Sequence, residues 1–347
     1  MKKSLSIITI GMLSFSLLVG CGSDTTKEAS TSDATTTTEV SENKTDNASN
    51  EEETKDSKTS QTQDVKGLTY PYIYTDEAGR EVTIEKEPTA IVTNYLPLWE
   101  SLTLLGIKPL AVSGAENYIA TWDAFEGYDV SDVQDLGQKE VNLELLAQLQ
   151  PDIILSQSYD AANAEIENFE KIAPVAVFGQ KTKMDWRASL REVAKIVNKE
   201  EEAEKIITEI ADKLATEREK LASEYDGQTV MQFSLMGEDK YFVAYRPDLY
   251  DKETGLGLNV PKGYTSSETY EQISMEAIVQ MNPDYIFVNV FDGDEALFEA
   301  LEENTVWQSL KAVQDGHVYR LDGGGHAPSA LATLYTVNFI TDALTTK

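Results

Sequence analysis

The chain has 347 residues, of which 60 are acidic and 29 basic, giving a formal net charge of −31. This charge argues against a nucleic-acid partner, which needs basic surfaces, and against binding to anionic lipid headgroups. The body from Gly67 to Lys347 is long enough for two lobes with a sizeable core.

The amino terminus has the proportions of a secretory signal peptide. Two lysines at positions 2 and 3 precede an apolar run that is too short to span a bilayer comfortably and ends in LVGC at residues 18–21. Small residues before a cysteine resemble the lipobox of bacterial lipoproteins, in which the cysteine is acylated and the preceding peptide is removed. We therefore predict a lipoprotein signal peptide at residues 1–21 and lipidation of Cys21, the only cysteine of the chain. A short membrane anchor with an incidental cysteine is the alternative.

Residues 22–66 are rich in Ser, Thr, Glu, Asp, Asn and Lys and contain almost no large apolar side chain. Such a composition buries too little surface to offset the entropy that is lost on ordering. We predict a disordered Ser/Thr/acidic tether that holds the folded body clear of the membrane.

Strands and helices alternate through the body. Residues 76–84 predict a hairpin with Gly79 in the turn. Further strands are predicted at 90–93, 108–113, 175–178, 230–235, 242–245, 286–290 and 318–321, and helices at 98–105, 160–172, 185–197, 307–313 and 329–344. This alternation is typical of an α/β fold with mainly parallel sheets and right-handed crossovers.

A long helix is predicted in the middle of the body. Asn198 and Glu201 have the spacing of a capping box, and no Gly or Pro follows from Lys199 to Ser223. A helix of about 25 residues is about 37 Å long and stiff, so we expect modest closure on ligand binding. We assign residues 67–184 to an N-terminal lobe, 185–223 to joining helices that include the long one, and 224–347 to a C-terminal lobe.

One segment of the body occurs twice without a gap. The first copy is VNLELLAQLQPDIIL at residues 141–155, and the second is ISMEAIVQMNPDYIF at residues 273–287. In each copy a good N-cap residue, Asn142 or Ser274, begins a helix that Pro-Asp ends before a short apolar strand. We interpret the copies as one helix-to-strand unit in two similar lobes, with the ligand in the cleft between them. A coincidental match of two ordinary α/β units is the alternative.

Six motifs of the body lie in the order and spacing of a known family. They are DEAGREVTI, PTAIV, LLGIKPLAV, NLELLAQLQPDII, SMEAIVQMNPDYI and WQSLKAVQDGHVYRL. On these motifs the body resembles the class III substrate-binding proteins of ABC importers, which serve ferric siderophores, cobalamin and haem. The resemblance covers nearly all of Thr69–Lys347. It implies an α/β fold of two Rossmann-like lobes with mainly parallel sheets, joined by a single long interlobe helix.

The resemblance also gives a role to the repeated glutamates. In this family one glutamate per lobe, at a helix end, forms salt bridges with arginines of the permease dimer, and Glu144 and Glu276 occupy the matching positions. The implied partner is an ABC permease dimer with its ATPase. We expect a monomer on the extracytoplasmic face of the cell membrane, held there by its lipid anchor only. Both glutamates also stabilise a helix dipole, worth about 0.3–1 kcal/mol each.

Loops at the carboxyl ends of the strands are expected to line the cleft. They carry the predicted ligand-binding residues Tyr95, Tyr159, Trp186, Tyr245, Arg246, Asn289 and His326. Arg246 lies where many siderophore-binding members have a cleft arginine, although Ala-Tyr-Arg-Pro matches only in part. Its planar donors suit carboxylate, hydroxamate or catecholate oxygens, and a surface ion pair is the alternative. His326 follows three glycines that allow close backbone approach, and a simple turn with a solvated imidazole is the alternative.

A ferric siderophore is the cargo that the resemblance and Arg246 favour, with hydroxamate or mixed citrate types ahead of tris-catecholates. Haem with His326 as axial ligand and cobalamin stay open, and a surface adhesin is a more distant alternative. We expect no intrinsic cofactor and no metal site, because the chain has two histidines and its one cysteine is assigned to lipid. Nor do we expect an enzyme, since no Gly-x-Ser-x-Gly, phosphate-loop or His-Glu-x-x-His motif occurs.

Overall fold

The computed structural model describes residues 68–158, 164–225 and 227–345, which belong to one compact unit. The predicted signal peptide with Cys21, the predicted tether and Tyr159 lie outside the described residues. Within these ranges no helix combines the length and the apolar character that a membrane crossing needs.

The first lobe is built on a five-stranded parallel sheet. Its strands are β3 (Ile91–Thr93), β4 (Ala111–Val112), β5 (Gln134–Asp135), β6 (Ile153–Gln157) and β7 (Val175–Phe178), in the order β5-β4-β3-β6-β7. Its helices are α1 (Leu96–Leu104), α2 (Ala115–Thr121), α3 (Leu143–Leu149), α4 (Ala164–Glu170), α5 (Gln180–Met184) and α6 (Trp186–Ile196). The predicted hairpin is a separate antiparallel pair, β1 (Tyr72–Thr75) and β2 (Glu81–Ile84), with Gly79 at φ 76° in the turn.

The second lobe repeats the plan with an antiparallel edge. Its strands are β8 (Val230–Leu235), β9 (Tyr241–Val243), β10 (Glu271–Ile273), β11 (Tyr285–Val290) and β12 (Val318–Leu321), in the order β10-β9-β8-β11-β12. Strands β8, β11 and β12 are parallel, and β9 runs antiparallel to both of its neighbours. Its helices are α8 (Pro247–Tyr250), α9 (Met275–Met281), α10 (Glu295–Glu303), α11 (Lys311–Gln314) and α12 (Ala330–Thr345). The helix predicted at 307–313 divides into a 3₁₀ turn, Trp307–Ser309, and α11.

The long joining helix is α7 (Glu200–Glu224), 25 residues, and it confirms the prediction of one stiff link. Its apolar stripe, which includes Ile210 and Leu214, is buried in a core that contains residues of both lobes. The predicted capping box is wrong, because Lys199 is the N-cap and makes no side-chain cap. Asn198 instead takes a left-handed φ of 56°, and its Oδ1 accepts the Leu68 N–H at 3.1 Å. Helix α6, which we predicted among the joining helices, packs on α1 and α5 of the first lobe. The predicted boundaries of the two lobes otherwise stay predictions.

The two copies of the repeat fold as the same unit in different sheets. Units α3–β6 and α9–β11 each begin with a side-chain cap: Asn142 accepts from the Leu145 N–H at 3.0 Å and Ser274 from the Ala277 N–H at 3.3 Å. Each helix ends on a left-handed residue. The two copies therefore form the predicted helix-to-strand unit, one in each of the two sheets.

The repeated aspartates tie each unit to the neighbouring strand. Asp152 Oδ2 accepts the N–H groups of Thr89 and Ala90 at 3.0 Å, and Asp284 Oδ2 accepts the N–H and hydroxyl of Thr229 at 2.8 Å. Burial alone would raise the pKa of Asp152, but the bonds from a lysine and these amides lower it to about 2. The pKa of Asp284 is lowered by the same balance of causes.

Candidate functional site

A cavity of about 640 Å³ lies between the two lobes. The first lobe contributes the start of α6, α7 contributes one wall, and the second lobe contributes the segment that follows β9. Three of the predicted ligand-binding residues, Trp186, Tyr245 and Arg246, line it together. The structure thus brings together side chains that are far apart in the sequence.

Trp186 is the first residue of α6 and is only 3% exposed. Asp185 caps this helix by accepting the Arg187 N–H at 2.9 Å. The indole Nε1 of Trp186 donates to Asp248 Oδ2 at 3.2 Å, and Arg187 Nη2 donates to the other oxygen at 3.1 Å. Asp248, a residue that sequence reasoning missed, therefore receives two donors from the opposite lobe.

Arg246 is 5% exposed, and its guanidinium makes no ion pair with any residue that the structure describes. Nη1 donates to the Gly325 carbonyl at 3.0 Å, whereas Nη2 is buried without a hydrogen-bond partner. The alternative of a surface ion pair is wrong. Arg246 follows the carboxyl end of a strand, as expected, but that strand, β9, is antiparallel to both of its neighbours. Because β9 is antiparallel, the chain after it turns back along the sheet, and only the long side chain reaches Gly325.

A buried polar cluster also holds the Gly325 carbonyl that Arg246 contacts. Gln232 Nε2 donates to the Gly325 carbonyl at 3.1 Å and to Asn289 Oδ1 at 3.2 Å, and Asn289 Nδ2 donates to Ser234 Oγ at 3.0 Å. Asn289, predicted to bind ligand, is 2% exposed and lies in this cluster. A Cβ at Gly325 would lie 2.5 Å from Asn289 Oδ1, so only glycine fits there.

His326 completes the cluster at the edge of the second lobe. Its Nδ1 is 2.8 Å from Ser234 Oγ, and its ring stacks on Tyr270 at 4.1 Å between centroids, with Phe291 edge-on at 5.4 Å. Burial, followed by the positive charge of Arg246, lowers the pKa of His326 to about 4, so the imidazole is neutral at physiological pH. The alternative of a solvated turn residue is therefore wrong.

Tyr95 lies apart from these residues. It is the N-cap residue of α1, half-buried, and it packs against the core that the lobes share. It does not line the interlobe cavity. Its predicted contact with ligand stays a prediction.

Glu144 and Glu276 are both exposed in the first turns of α3 and α9. Neither forms a salt bridge with a residue in the described ranges, and Glu144 accepts only a 3.4 Å bond from Gln148. The Ser274 hydroxyl and the backbone amide of Glu276 lower the pKa of the Glu276 carboxyl, which is ionised at neutral pH. Each lobe thus has one of the two repeated glutamates exposed at the start of a helix.

Sequence reasoning also missed Glu100, which is 0% exposed. It is the one charged residue of α1, LPLWESLTL, and that isolation in an apolar helix was the available signal. In the described part of the chain, no group of three or more His, Cys, Asp or Glu residues is placed to hold a metal ion. The cavity is lined by three arginines, two aromatic side chains and five carboxylates. Two α/β lobes with such a cavity between them define the class of two-lobed substrate-binding proteins.

Comparison with known proteins gives the family. A family model described as periplasmic binding protein matches residues 92–323, more than half of the chain. The iron-uptake system-binding protein of Bacillus subtilis is 28% identical over 251 residues, 69% of this chain and 75% of that protein. The iron(3+)-hydroxamate-binding protein FhuD of Bacillus subtilis is 27% identical over 284 residues, 79% of this chain and 86% of that protein. The chain belongs to the periplasmic binding protein family.

Solved structures share the fold. The crystal structure of a FhuD-fold component of a Fep/Fec-like ferrichrome ABC transporter from Bacillus subtilis has a TM-score of 0.66 at 25% identity, covering 79% of this chain and 100% of that one. FeuA from Bacillus subtilis complexed with ferri-bacillibactin has a TM-score of 0.62 at 21% identity, covering 79% and 98%. These likenesses extend over both lobes and α7.

Proposed function

We propose that this protein captures a ferric siderophore between its lobes and delivers it to an ABC permease for iron uptake. The observation that carries the proposal is the guanidinium of Arg246, buried at the interlobe cavity with no ion pair and one open Nη2. A buried charge without a partner is costly, so an anionic or strongly accepting oxygen of a ligand would stabilise it. The relatives named for ferric hydroxamate and iron uptake support an iron chelate as that ligand.

The charges of the cavity favour one class of chelate. Five carboxylates line it against three arginines; the carboxylates are Asp185, Asp212, Asp248, Glu253 and Glu268. Arg187 is paired with Asp248 and Arg218 donates to the Gly255 carbonyl, whereas Arg246 has a buried Nη2 that makes no hydrogen bond within the described chain. A tris-catecholate brings about three negative charges to a cavity that already has more carboxylates than arginines, whereas a ferric trihydroxamate is neutral. We therefore place neutral hydroxamates first and citrate types second.

The remaining parts of the proposal concern anchoring and delivery. Lipidation of Cys21 would hold the protein on the extracytoplasmic face of the membrane, with residues 22–66 as the tether. Glu144 and Glu276 would dock on basic residues of the two permease subunits, one per lobe. The protein would act as a monomer, without an intrinsic cofactor and without catalysis. Haem is the second candidate, because His326 is neutral and its Nε2 makes no hydrogen bond within the described chain.

Tryptophan fluorescence tests the cargo directly, since Trp186 lines the cavity. The protein from Gly22 onward is titrated with ferrichrome, ferric citrate, a ferric tris-catecholate, haem and cobalamin. We expect submicromolar quenching by ferrichrome and much weaker binding of the tris-catecholate. Tight binding of haem alone would move the assignment to a haem receptor, and no response to any of the five would contradict the proposed function.

A further inference from the structure

A carboxylate of the first lobe caps a helix of the second. Glu100 Oε2, on α1, accepts the backbone N–H of Leu331 at 2.8 Å and that of Ala332 at 3.2 Å, both in the first turn of α12. These bonds join residues more than 200 positions apart. They satisfy amides that a helix leaves unpaired at its start.

The local candidate for this cap does not perform it. Ser329 precedes α12, and its carbonyl accepts the Thr333 N–H at 2.8 Å, but its buried Oγ accepts no backbone N–H of the helix. A serine at this position usually caps its own helix. Here the second lobe depends on Glu100 instead, so the start of α12 is fixed by the opposite lobe.

The surroundings of Glu100 make its charge state sensitive to pH near neutrality. Burial raises the pKa of its carboxyl to about 7, although Ser329, the two amides and the positive Arg246 act in the opposite direction. The charge of Glu100 also interacts with two tyrosines, Tyr118 of α2 and Tyr128. Burial raises the pKa of both, so they stay neutral at physiological pH. Oε1 is buried without a hydrogen-bond partner. Arg246 is thus a cation that acts on this carboxyl and favours its charged form.

We propose that Glu100 is a positioning residue of the ligand site, because its cap on α12 fixes the segment that leads into that helix. This segment, Gly323–Ser329, carries the Gly325 carbonyl that binds Arg246 and the imidazole of His326. It also meets the first lobe where Asp322 Oδ2 accepts the Asp123 N–H at 2.7 Å. The part of the inference that concerns ligand rests on the proposed function. The part that concerns the cap does not.

The cap should respond to pH in a defined direction. When the junction opens, Glu100 meets water and its pKa returns towards its ordinary value of 4.5, so the closed junction holds the proton more tightly. The closed state is therefore favoured as pH falls through about 7 and opens more readily as pH rises through it. Glu100→Gln keeps an acceptor oxygen without a charge and should remove this dependence.

Hydrogen exchange of the peptide covering residues 327–335, together with ferrichrome titration, tests the proposal on the protein from Gly22 onward. We expect Glu100→Ala to speed exchange at least tenfold and to weaken ferrichrome binding about tenfold. Glu100→Gln should stay within about threefold of the wild type in both measurements at pH 6. The control is Ser101→Ala, whose hydroxyl donates to the Pro97 carbonyl within α1, lies 3.2 Å from the Ser189 hydroxyl and makes no hydrogen bond to α12. It should change both by less than twofold.

The ratio of wild-type to Glu100→Gln exchange rates should rise between pH 6 and pH 8.5, and intrinsic exchange rates cancel in it. A flat ratio would overturn the role of charge, and it can be measured even if the alanine variant does not fold. If residues 327–335 exchange in Glu100→Ala at the wild-type rate, the proposed cap by Glu100 is wrong. If they exchange faster while ferrichrome affinity is unchanged, the proposed role of Glu100 in positioning the ligand site is wrong. If the wild type binds no chelate, the proposed cargo fails, and the exchange rates still decide whether Glu100 holds the segment.

Discussion

The indole N–H of Trp186 and the carboxylate of Asp248 meet across the lobe boundary at 3.2 Å. The same Asp248 oxygen also accepts the Thr333 hydroxyl at 3.2 Å, so this carboxylate joins α6, α8 and α12. Glu100 holds the amides of the same turn of α12. Two carboxylates from different helices, Asp248 and Glu100, thus accept hydrogen bonds from the first turn of α12, next to the cavity.

Replacing Trp186 by Phe keeps a buried ring and removes the N–H that crosses the boundary. We expect the free energy of unfolding to fall by about 1 kcal/mol, the usual worth of one hydrogen bond, and ferrichrome affinity to fall about fivefold. Thr333→Val is the matched control, because it removes a donor to the same Asp248 oxygen from within the second lobe. Urea denaturation measures the stability of both variants, and isothermal titration measures their affinity for ferrichrome. Equal losses of affinity in the two would show that the contact between lobes has no special weight.

Replacing Arg246 by Ala removes the guanidinium that we assign to the chelate. Affinity for ferrichrome should weaken by about 1.5–3 kcal/mol, the range for a hydrogen bond to a charged group. Arg320→Ala is the control, because Arg320 is an exposed arginine of the same lobe that pairs with Glu295. It should bind as the wild type does in isothermal titration. Unchanged affinity in a folded Arg246→Ala protein would remove this residue from the site.

The repeated aspartates should contribute similarly to the stability of their lobes. We expect Asp152→Ala and Asp284→Ala each to lower the free energy of unfolding by about 1–2 kcal/mol, because each leaves at least one strand amide unpaired. Since the pKa of both carboxyls is lowered, their contribution is complete above the unfolded value of 3.8 and is lost as pH falls below it, through about 2 for Asp152. Urea denaturation at pH 7 and pH 3 measures this. If the variants lose as much free energy of unfolding at pH 3 as at pH 7, the ionised form of the aspartates does not contribute as predicted.

The double variant Glu144→Ala, Glu276→Ala should bind ferrichrome normally and fail to support uptake. Both carboxylates are exposed and lie outside the interlobe cavity, so their removal leaves the site intact. Uptake of radioactive ferrichrome by intact cells is the measurement. Glu201→Ala with Glu302→Ala removes the same charge from exposed positions and serves as the control. Uptake at the wild-type rate in the first pair would refute docking through these residues.

Much of the fold could be predicted because its signals are local. The caps at Asn142 and Ser274, the turn at Gly79 and the length of α7 follow from residue types and their periodicity within a few positions. The duplicated segment also predicted two separate sheets, because each copy has the same apolar pattern and has to bury it in a core of its own. Edge strands were less accessible: β5 and β10 are two and three residues long and carry little pattern.

The sequence by itself determined two similar α/β units, the long helix α7 between them and an exposed glutamate on each unit. Only the tertiary structure decided which polar groups meet at the junction. Glu100 reads as one carboxylate in an apolar helix, and its partners, Leu331 and Ala332, are backbone amides that no side-chain pattern marks. The direction of β9, which places Arg246 against Gly325, is likewise invisible in its own residues. The reason is physical: secondary structure depends on near neighbours, whereas a buried charge is matched by whichever groups packing brings within 3 Å.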